Sequence, residues 1–229
     1  GALSQAVPER VPADGDGGNS LISVGGYDDE GQPFAFVDLI CGVRGGRPEG
    51  DGPEGVPHPG SNISNTPIEI AEVELPIRIE AYGLIQNTGG PGKFRGGMAQ
   101  IRKIRCLANQ ATLQVRSDKR KFPPYGLHGG KPGDPSWNIL NPGDDQVILP
   151  TLAVTQVNKN DVLLHTMAGG GGWGNPLDRD PELVRDDVRS ERLTADYVKS
   201  EYGVVIDPVT SEIDHNATTQ IRDRLKKQR

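Results

Sequence analysis

The stretch of the sequence with the clearest potential for chemistry is a basic run at residues 116–121, which leads into a loop rich in proline and glycine. A guanidinium in such a loop can hold a carboxylate or a phosphate through two parallel hydrogen bonds, and Arg120 is placed to do so. Asp118 lies in the same run, and His128 follows it as a candidate for proton transfer near neutral pH. We therefore predict Arg120, Asp118 and His128 as catalytic residues. The alternative interpretation of the charged run is a solvated strand end.

The four histidines of the chain do not form a metal-binding pattern. None stands two or four residues from another histidine or from a cysteine, so a metal site within this chain would have to assemble from distant loops. His165 lies in an apolar strand and is predicted to be a hydrogen-bonded core residue, whereas His215 stands at an exposed helix start. His58 and His128 lie in the two longest loops, where binding and catalytic residues concentrate.

A glycine run after a predicted strand formally matches G-x-G-x-x-G through Gly169, Gly171 and Gly174. A dinucleotide site needs a helix directly after such a run, but Asn175-Pro176 follows here. The chain also contains no Gly-Lys-Ser/Thr, so an independent nucleotide-binding enzyme is the weaker alternative. The favoured interpretation is a close crossing of backbones at a strand end, which only glycine tolerates.

Composition and charge disfavour several classes of partner. The net charge is −6 and the pI is about 5.3, which disfavours a nucleic-acid or anionic-membrane surface. No apolar run approaches the ~20 residues of a membrane span. Cys41 and Cys106 form no Cys-x-x-Cys motif, so we expect reduced thiols and a cytoplasmic protein. The first residues lack an initiator methionine and look like a start inside a longer chain, or a processed or trimmed end.

Runs of β-branched residues predict a chain made mainly of strands. The 31 glycines and 19 prolines add long loops, which we expect at residues 42–62 and 122–144. The predicted strands cover residues 21–24, 34–41, 67–75, 77–82, 98–107, 111–115, 146–157 and 161–167. The expected fold class is mainly β (α+β), with a β-rich sandwich or barrel-like body at residues 1–176 and a helical tail at residues 177–229.

Capping signals predict three helices in the tail. Asp180 is followed by a proline, which is typical of an N-cap before the first helical position. Thr194 is a second candidate N-cap, and Gly203 is placed to end the helix that Thr194 begins. A last helix with one apolar face is expected over residues 216–227.

Four motifs stand in a defined order along the chain. They are Ser-Asn-Ile-Ser-Asn-Thr-Pro-Ile-Glu at 61–69, Gly-Gly-Pro-Gly-Lys-Phe-Arg-Gly-Gly at 89–97, Ser-Asp-Lys-Arg-Lys-Phe-Pro-Pro-Tyr-Gly-Leu-His-Gly-Gly at 117–130, and Gly-Gly-Gly-Gly-Trp-Gly-Asn-Pro at 169–176. Their order and spacing resemble the C-terminal part of hydantoinase B/oxoprolinase subunits, from about residue 3 to about residue 208. That family also supplies subunits of acetone and acetophenone carboxylases.

The resemblance implies partners, cofactors and a substrate class. The chain would be the C-terminal portion of a B-type subunit, which works with an A-type ATP-binding subunit and with the remaining N-terminal part of its own subunit. ATP and Mg²⁺ would be bound by the partner, and a divalent metal by His and Asp motifs upstream of this region. The resemblance therefore assigns no metal ligand to this chain. The substrate would be a cyclic amide that is hydrolysed or a ketone that is carboxylated, and the chain would not be catalytic alone.

Within or beside the matched motifs, Arg95, His58 and Asn65 are the predicted substrate-binding residues. His58 is displaced by one place from the histidine that family members often carry before Asn-Thr-Pro. The alternative for Arg95 is a solvated position. For the whole chain, the alternative is a non-catalytic scaffold whose loops only make subunit contacts.

Overall fold

The computed structural model describes residues 2–56 and 63–227, and this part of the chain contains eleven strands and five α-helices. The strands are β1 (Ser20–Tyr27), β2 (Pro33–Ile40), β3 (Gly42–Val43), β4 (Glu54–Val56), β5 (Ile77–Leu84), β6 (Gln100–Cys106), β7 (Gln110–Arg116), β8 (Trp137–Leu140), β9 (Val147–Ile148), β10 (Leu152–Asn158) and β11 (Val162–Thr166). The helices are α1 (Ala2–Ala6), α2 (Ile68–Glu74), α3 (Pro181–Arg189), α4 (Ala195–Glu201) and α5 (His215–Lys227), with single 3-10 turns at Pro8–Arg10 and Pro176–Asp178.

Two antiparallel sheets share one apolar core and form a sandwich. The first sheet has the strand order β10-β7-β1-β2, and the second has the order β5-β6-β11-β8-β9. Buried and less buried side chains alternate along β6 and β7, as expected for strands with one face on the core. Ile22 and Leu113 from the first sheet and Ile104 and Leu163 from the second belong to the same buried cluster. The mainly β fold class is confirmed, and the described strands form open sheets without a closed barrel.

The predicted strand at residues 67–75 is wrong, because this segment folds as helix α2 and its cap. Ala71 and Leu75 stand four residues apart and both pack against the core, which is the spacing of one helix face. Ile70 and Val73 are exposed on the other side. Their β-branched side chains produced a strand-like composition in a segment whose packing is helical.

The predicted strand at residues 146–157 is two strands in different sheets. β9 ends at Ile148 in the second sheet, and β10 begins at Leu152 in the first. Pro150 lies between them and has no N–H to donate to a ladder, so the chain leaves one sheet there and enters the other. The predicted loop at 122–144 also contains a strand, β8, which pairs with β11.

Four glycine-rich segments pack backbone against backbone, at residues 44–52, 89–97, 126–133 and 169–174, and we call them the glycine hub. A Cβ atom on Gly96 would lie 1.9 Å from the carbonyl oxygen of Gly170. Such a distance leaves no space for a side chain, so glycine is required at the crossing. The close crossing of backbones predicted after β11 is therefore confirmed.

The segment at residues 169–174 ties the glycine hub together through its backbone. Each of its six N–H groups donates a hydrogen bond of 2.8–3.0 Å to a carbonyl oxygen elsewhere in the chain. In chain order the acceptors are Asp134, Gly97, Asp14, Lys131, Phe94 and Leu127. Since successive donors serve different segments, backbone hydrogen bonds order these loops outside any regular sheet.

The helical tail begins and ends at the predicted caps. The Asp180 side chain accepts a hydrogen bond from the backbone N–H of Glu182, and Thr194 accepts one from the N–H of Tyr197. Gly203 follows the C-cap of α4 with φ +63°, a conformation that favours glycine. These capping predictions are confirmed.

Apolar packing and ion pairs join the tail to the glycine hub. Met98 is buried in one cluster with residues of α3 and α4. Asp187 of α3 accepts hydrogen bonds from Arg95 at 2.8 Å and from Arg179 at 2.7 Å, and Arg179 also contacts Asp51 at 2.6 Å. The boundary drawn at residue 176 stays a prediction, and these contacts cross it.

We predict that Gly96→Ala lowers the free energy of unfolding by about 3 kcal/mol, because the new methyl group would collide with backbone atoms of Gly170. Gly83→Ala in β5 is the matched control, since a Cβ there would meet no atom within 4 Å. Urea unfolding of both variants measures the difference. Equal midpoints for Gly96→Ala and the control would contradict the close crossing.

Candidate functional site

Two adjoining clefts lie at the end of the sandwich where β7 leaves the sheet. The first, which we call the basic cleft, has a volume of about 410 Å³ and is lined by Gly17, residues 117–122 and Thr151. The loop that forms it is pinned to the residue before β8. Ser136 donates its hydroxyl to the carbonyl oxygen of Asp118 at 2.5 Å, and Arg120 Nε donates to the carbonyl oxygen of Ser136.

Arg120 brings a positive charge into the basic cleft. Its guanidinium lies over the ring of Trp137, 4.2 Å from the ring centroid, a favourable cation–π contact. No ion pair in the described part of the chain includes Arg120, and its buried Nη2 atom has no hydrogen-bond partner there. Burial lowers the pKa of Arg120 from its ordinary value. A guanidinium in this state can take a carboxylate or phosphate oxygen.

The second cleft, which we call the acidic cleft, shares Gly17 with the first. It has a volume of about 350 Å³, and its lining includes Asp14, Asp16, Arg44 and Tyr125. Burial raises the pKa of Asp16 to about 7, against the opposing effect of the Arg44 charge. A carboxyl group of this kind is present in both protonation states near neutral pH.

An ion pair joins the two clefts. Lys119 Nζ lies 2.5 Å from Asp14 Oδ2, and the backbone N–H of Gly18 donates to Asp118 Oδ2 at 2.9 Å. The segment before β1 and the loop after β7 are therefore fixed against each other. Cationic and anionic groups lie side by side across this boundary.

A buried polar row runs beneath the basic cleft, across the second sheet. The Asn138 amide nitrogen donates to Ser117 Oγ at 2.9 Å and to the Pro150 carbonyl oxygen at 3.1 Å. Its oxygen is therefore the acceptor that faces His165 Nδ1 at 2.6 Å, which places the imidazole proton on Nδ1. Burial and the charges of nearby arginines lower the pKa of His165 to about 3, so the ring is neutral. His165 is a buried core residue, as predicted, with its Nε2 unpartnered among the described residues.

Arg102 continues this row, directly opposite His165 on the neighbouring strand. Its Nε lies 3.4 Å from Asp38 Oδ2, and its guanidinium lies 3.1 Å from the ring centroid of Tyr82. Asn65 donates to the other oxygen of Asp38 at 2.7 Å. The Asn-Thr-Pro motif is thus tied to the polar end of the core through Asp38.

The structure brings only some of the sequence-predicted site residues together. Asp118 and Arg120 line the same cleft. His128 lies in the glycine hub and stacks on Trp173, with ring centroids 4.9 Å apart. Asn65 joins the polar row through Asp38, and His58 lies outside the described residues. The functional roles of these residues stay predictions.

Arg95 is 6% exposed, and its guanidinium contacts Asp187 at 2.8 Å and Glu54 at 2.9 Å. These contacts join the tail to the glycine hub and leave little of the side chain for a ligand. Its assignment to substrate binding stays a prediction, and its contacts favour a structural role.

Sequence reasoning missed Asp14, Asp16 and Arg44, which lie in segments that resemble a polar lead-in and a loop. No spacing rule connects them to residues 117–122, since more than seventy residues separate the two regions in sequence. The pairing of β1 with β7 is what brings the two ends together.

Two kinds of feature are missing from the part of the chain that the structure describes. No group of three or more His, Cys, Asp or Glu side chains there could hold a metal ion. No helix among the same residues is both long enough and apolar enough to cross a membrane.

Comparison with protein families gives a match to Hydantoinase B/oxoprolinase over residues 1–176. The B-type subunit of the "Putative D-/L-hydantoinase" of Pseudomonas sp. (strain NS671) is 34% identical over 224 residues, which are 96% of this chain and 37% of that protein. The beta subunit of the caprolactamase of Pseudomonas jessenii is 30% identical over 230 residues, covering 95% of this chain and 39% of that protein. The chain therefore spans less than two fifths of these relatives.

Solved structures give the same picture. The crystal structure of ATP-dependent caprolactamase from Pseudomonas jessenii matches with a TM-score of 0.80 and 25% identity, over 97% of this chain and 40% of that chain. A nucleotide-free acetone carboxylase structure also matches with a TM-score of 0.80, over 99% of this chain and 35% of that chain. At 20% identity, the second match shows the fold alone.

Proposed function

Because this chain belongs to the hydantoinase B/oxoprolinase family, we propose that it is the C-terminal portion of a B-type subunit in an ATP-dependent complex that hydrolyses a cyclic amide. The relatives named for hydantoinase and caprolactamase, at 30–34% identity over nearly the whole chain, support this class. Carboxylation of a ketone is the related second reaction. This portion would not be catalytic alone.

The complex would divide its tasks between polypeptides. An A-type subunit would bind ATP and Mg²⁺, and the N-terminal remainder of the B-type subunit would hold the divalent metal. This chain would shape part of the substrate site. We place the complex in the cytoplasm, where the free thiols of Cys41 and Cys106 would stay reduced.

The observation that carries this role is the state of Arg120. Its charge has no carboxylate partner in the described part of the chain, and its Nη2 atom is buried without a hydrogen bond. An unpartnered buried donor is costly, so such a group favours a ligand that completes its bonding. We propose that Arg120 holds an anionic oxygen of the substrate or of a phosphorylated intermediate, with Asp118 beside it.

A scaffold role is the alternative, and the outer face of the first sheet favours it. Val37, Leu152 and Val154 are all exposed, and the strand register places Val154 and Val37 in one row across that face. Exposed apolar side chains grouped on a sheet face are typical of a surface that other protein covers. The two roles are compatible, because one portion of a larger polypeptide can dock through its sheet and contribute its clefts.

The class of reaction is tested by purifying the complex through a tag on this protein. We expect a large ATP-binding polypeptide to co-purify and ATP hydrolysis to rise on addition of hydantoin, 5-oxoproline or a lactam. Repeating the assay with ketones, with and without bicarbonate, separates amidase from carboxylase. The absence of a co-purifying ATP-binding polypeptide would contradict the proposal. A rate of ATP hydrolysis that does not change with any of these substrates would also contradict it.

We predict that Arg120→Ala lowers turnover of the assembled complex about 10- to 100-fold, which corresponds to the loss of a charged hydrogen bond. Arg78→Ala is the matched control, because Arg78 is an exposed arginine on β5. Size-exclusion chromatography checks that both variants assemble. Wild-type turnover in an assembled Arg120→Ala complex would remove Arg120 from the site.

A further inference from the structure

We infer that Asp16 is a general base in the acidic cleft, which removes a proton from the bound substrate. This inference rests on the proposed function, since it names a residue for a step that both candidate reactions share. Asp16 was not among the residues singled out from the sequence. Geometry, charge and chemistry each support it.

The Asp16 carboxyl group occupies a fixed place in the wall of the acidic cleft. It lies directly against Gly42, where an added Cβ atom would be 1.6 Å from Asp16 Oδ2. The backbone N–H of Asp16 donates to the carbonyl oxygen of Val43 at 3.3 Å. The absence of a side chain at position 42 therefore makes the space that the carboxylate fills.

Asp16 is free of the ion pairs that hold its neighbours. Asp14 is paired with Lys119, whereas no ion pair in the described part of the chain includes Asp16. A buried carboxyl group is stabilised either by a cationic partner or by protonation. Asp16 is buried and lines a cavity, and none of the described cationic side chains forms an ion pair with it.

The charged and titratable groups around Asp16 come from its own segment and from the ends of β2, β3 and β7. Arg44 follows β3 and favours the ionised carboxylate, whereas Asp118, from the loop after β7, disfavours it. The Cys41 thiol follows β2, and the Asp16 charge contributes to raising its pKa. Asp14, which is paired with Lys119, lines the same cleft. Burial is the largest influence, and it brings the pKa of Asp16 to about 7. A base with this pKa is well matched to proton transfer at neutral pH.

The proton transfer is balanced without a further reagent. The Asp16 carboxylate takes a proton from the atom beside the substrate carbonyl, which is nitrogen in a cyclic amide and carbon in a ketone. The electron pair of the broken bond moves onto the carbonyl oxygen, which becomes the nucleophile that a phosphoryl group can capture. The carboxylic acid of Asp16 then returns its proton to solvent.

The first test is the pH dependence of turnover by the purified complex. A base must be ionised to act, so wild-type turnover should fall as the pH drops below about 7. Asp16→Asn should lower turnover at pH 8 about 100-fold or more and abolish this dependence. Asp16→Glu should recover part of the rate, and Asp29→Asn, at an exposed turn carboxylate, should behave as wild type. Retention of the wild-type pH profile and rate in Asp16→Asn would overturn the inference.

The second test needs no turnover and separates this inference from the proposed function. A folded-state pKa raised above the ordinary 3.8 favours the protonated form, so wild-type stability is lost as the pH rises from about 4 to 7. Asp16→Asn cannot ionise, so its thermal midpoint should exceed the wild-type midpoint at pH 8 and approach it near pH 4. Equal midpoints at pH 8 would overturn the inference, while a complex without amide or ketone turnover would overturn the proposed function.

Discussion

The structure depends on one constraint, the contact of bare backbones in the glycine hub. At the crossing of Gly96 and Gly170, a single methyl group would collide with main-chain atoms. The energy that orders these loops therefore comes mainly from main-chain hydrogen bonds, together with the apolar area that the loops cover. This explains how a chain with 34% hydrophobic residues can hold long loops in one conformation. The glycines and prolines therefore fix the conformation of these loops and do not indicate a disordered chain.

The glycine hub also positions both clefts. Gly171 donates to the carbonyl oxygen of Asp14, and the Asp14 carboxylate pairs with Lys119 on the loop that carries Arg120. A displacement of the hub by a fraction of an ångström would therefore move residues of both clefts, through the Gly171–Asp14 hydrogen bond and the Asp14–Lys119 ion pair. The polar row at His165 completes the arrangement from below, and the charges of Arg102 and Arg120 help to keep its imidazole neutral.

The sequence predicted those features whose cause is local. Asp180 and Thr194 each cap a helix through hydrogen bonds within three residues, and the glycine crossing was visible because no other residue type fits there. The strand predicted at residues 67–75 was wrong because β-branched residues of this segment, Ile70 and Val73, are exposed to solvent, which composition does not reveal. Asp16 could not be found from the sequence, because its burial and its charged neighbours depend on segments that are distant along the chain. Arg120 could be named as a candidate from the sequence because a rigid loop and a guanidinium are neighbours there.

Native-state hydrogen exchange of the amides at residues 169–174 tests the central claim most directly. Every one of these N–H groups donates to another segment, so they open only when the hub itself opens. We expect the amides of Gly170 and Gly172 to exchange as slowly as that of Leu163 in β11. Exchange within seconds under native conditions, as in a mobile loop, would contradict the account.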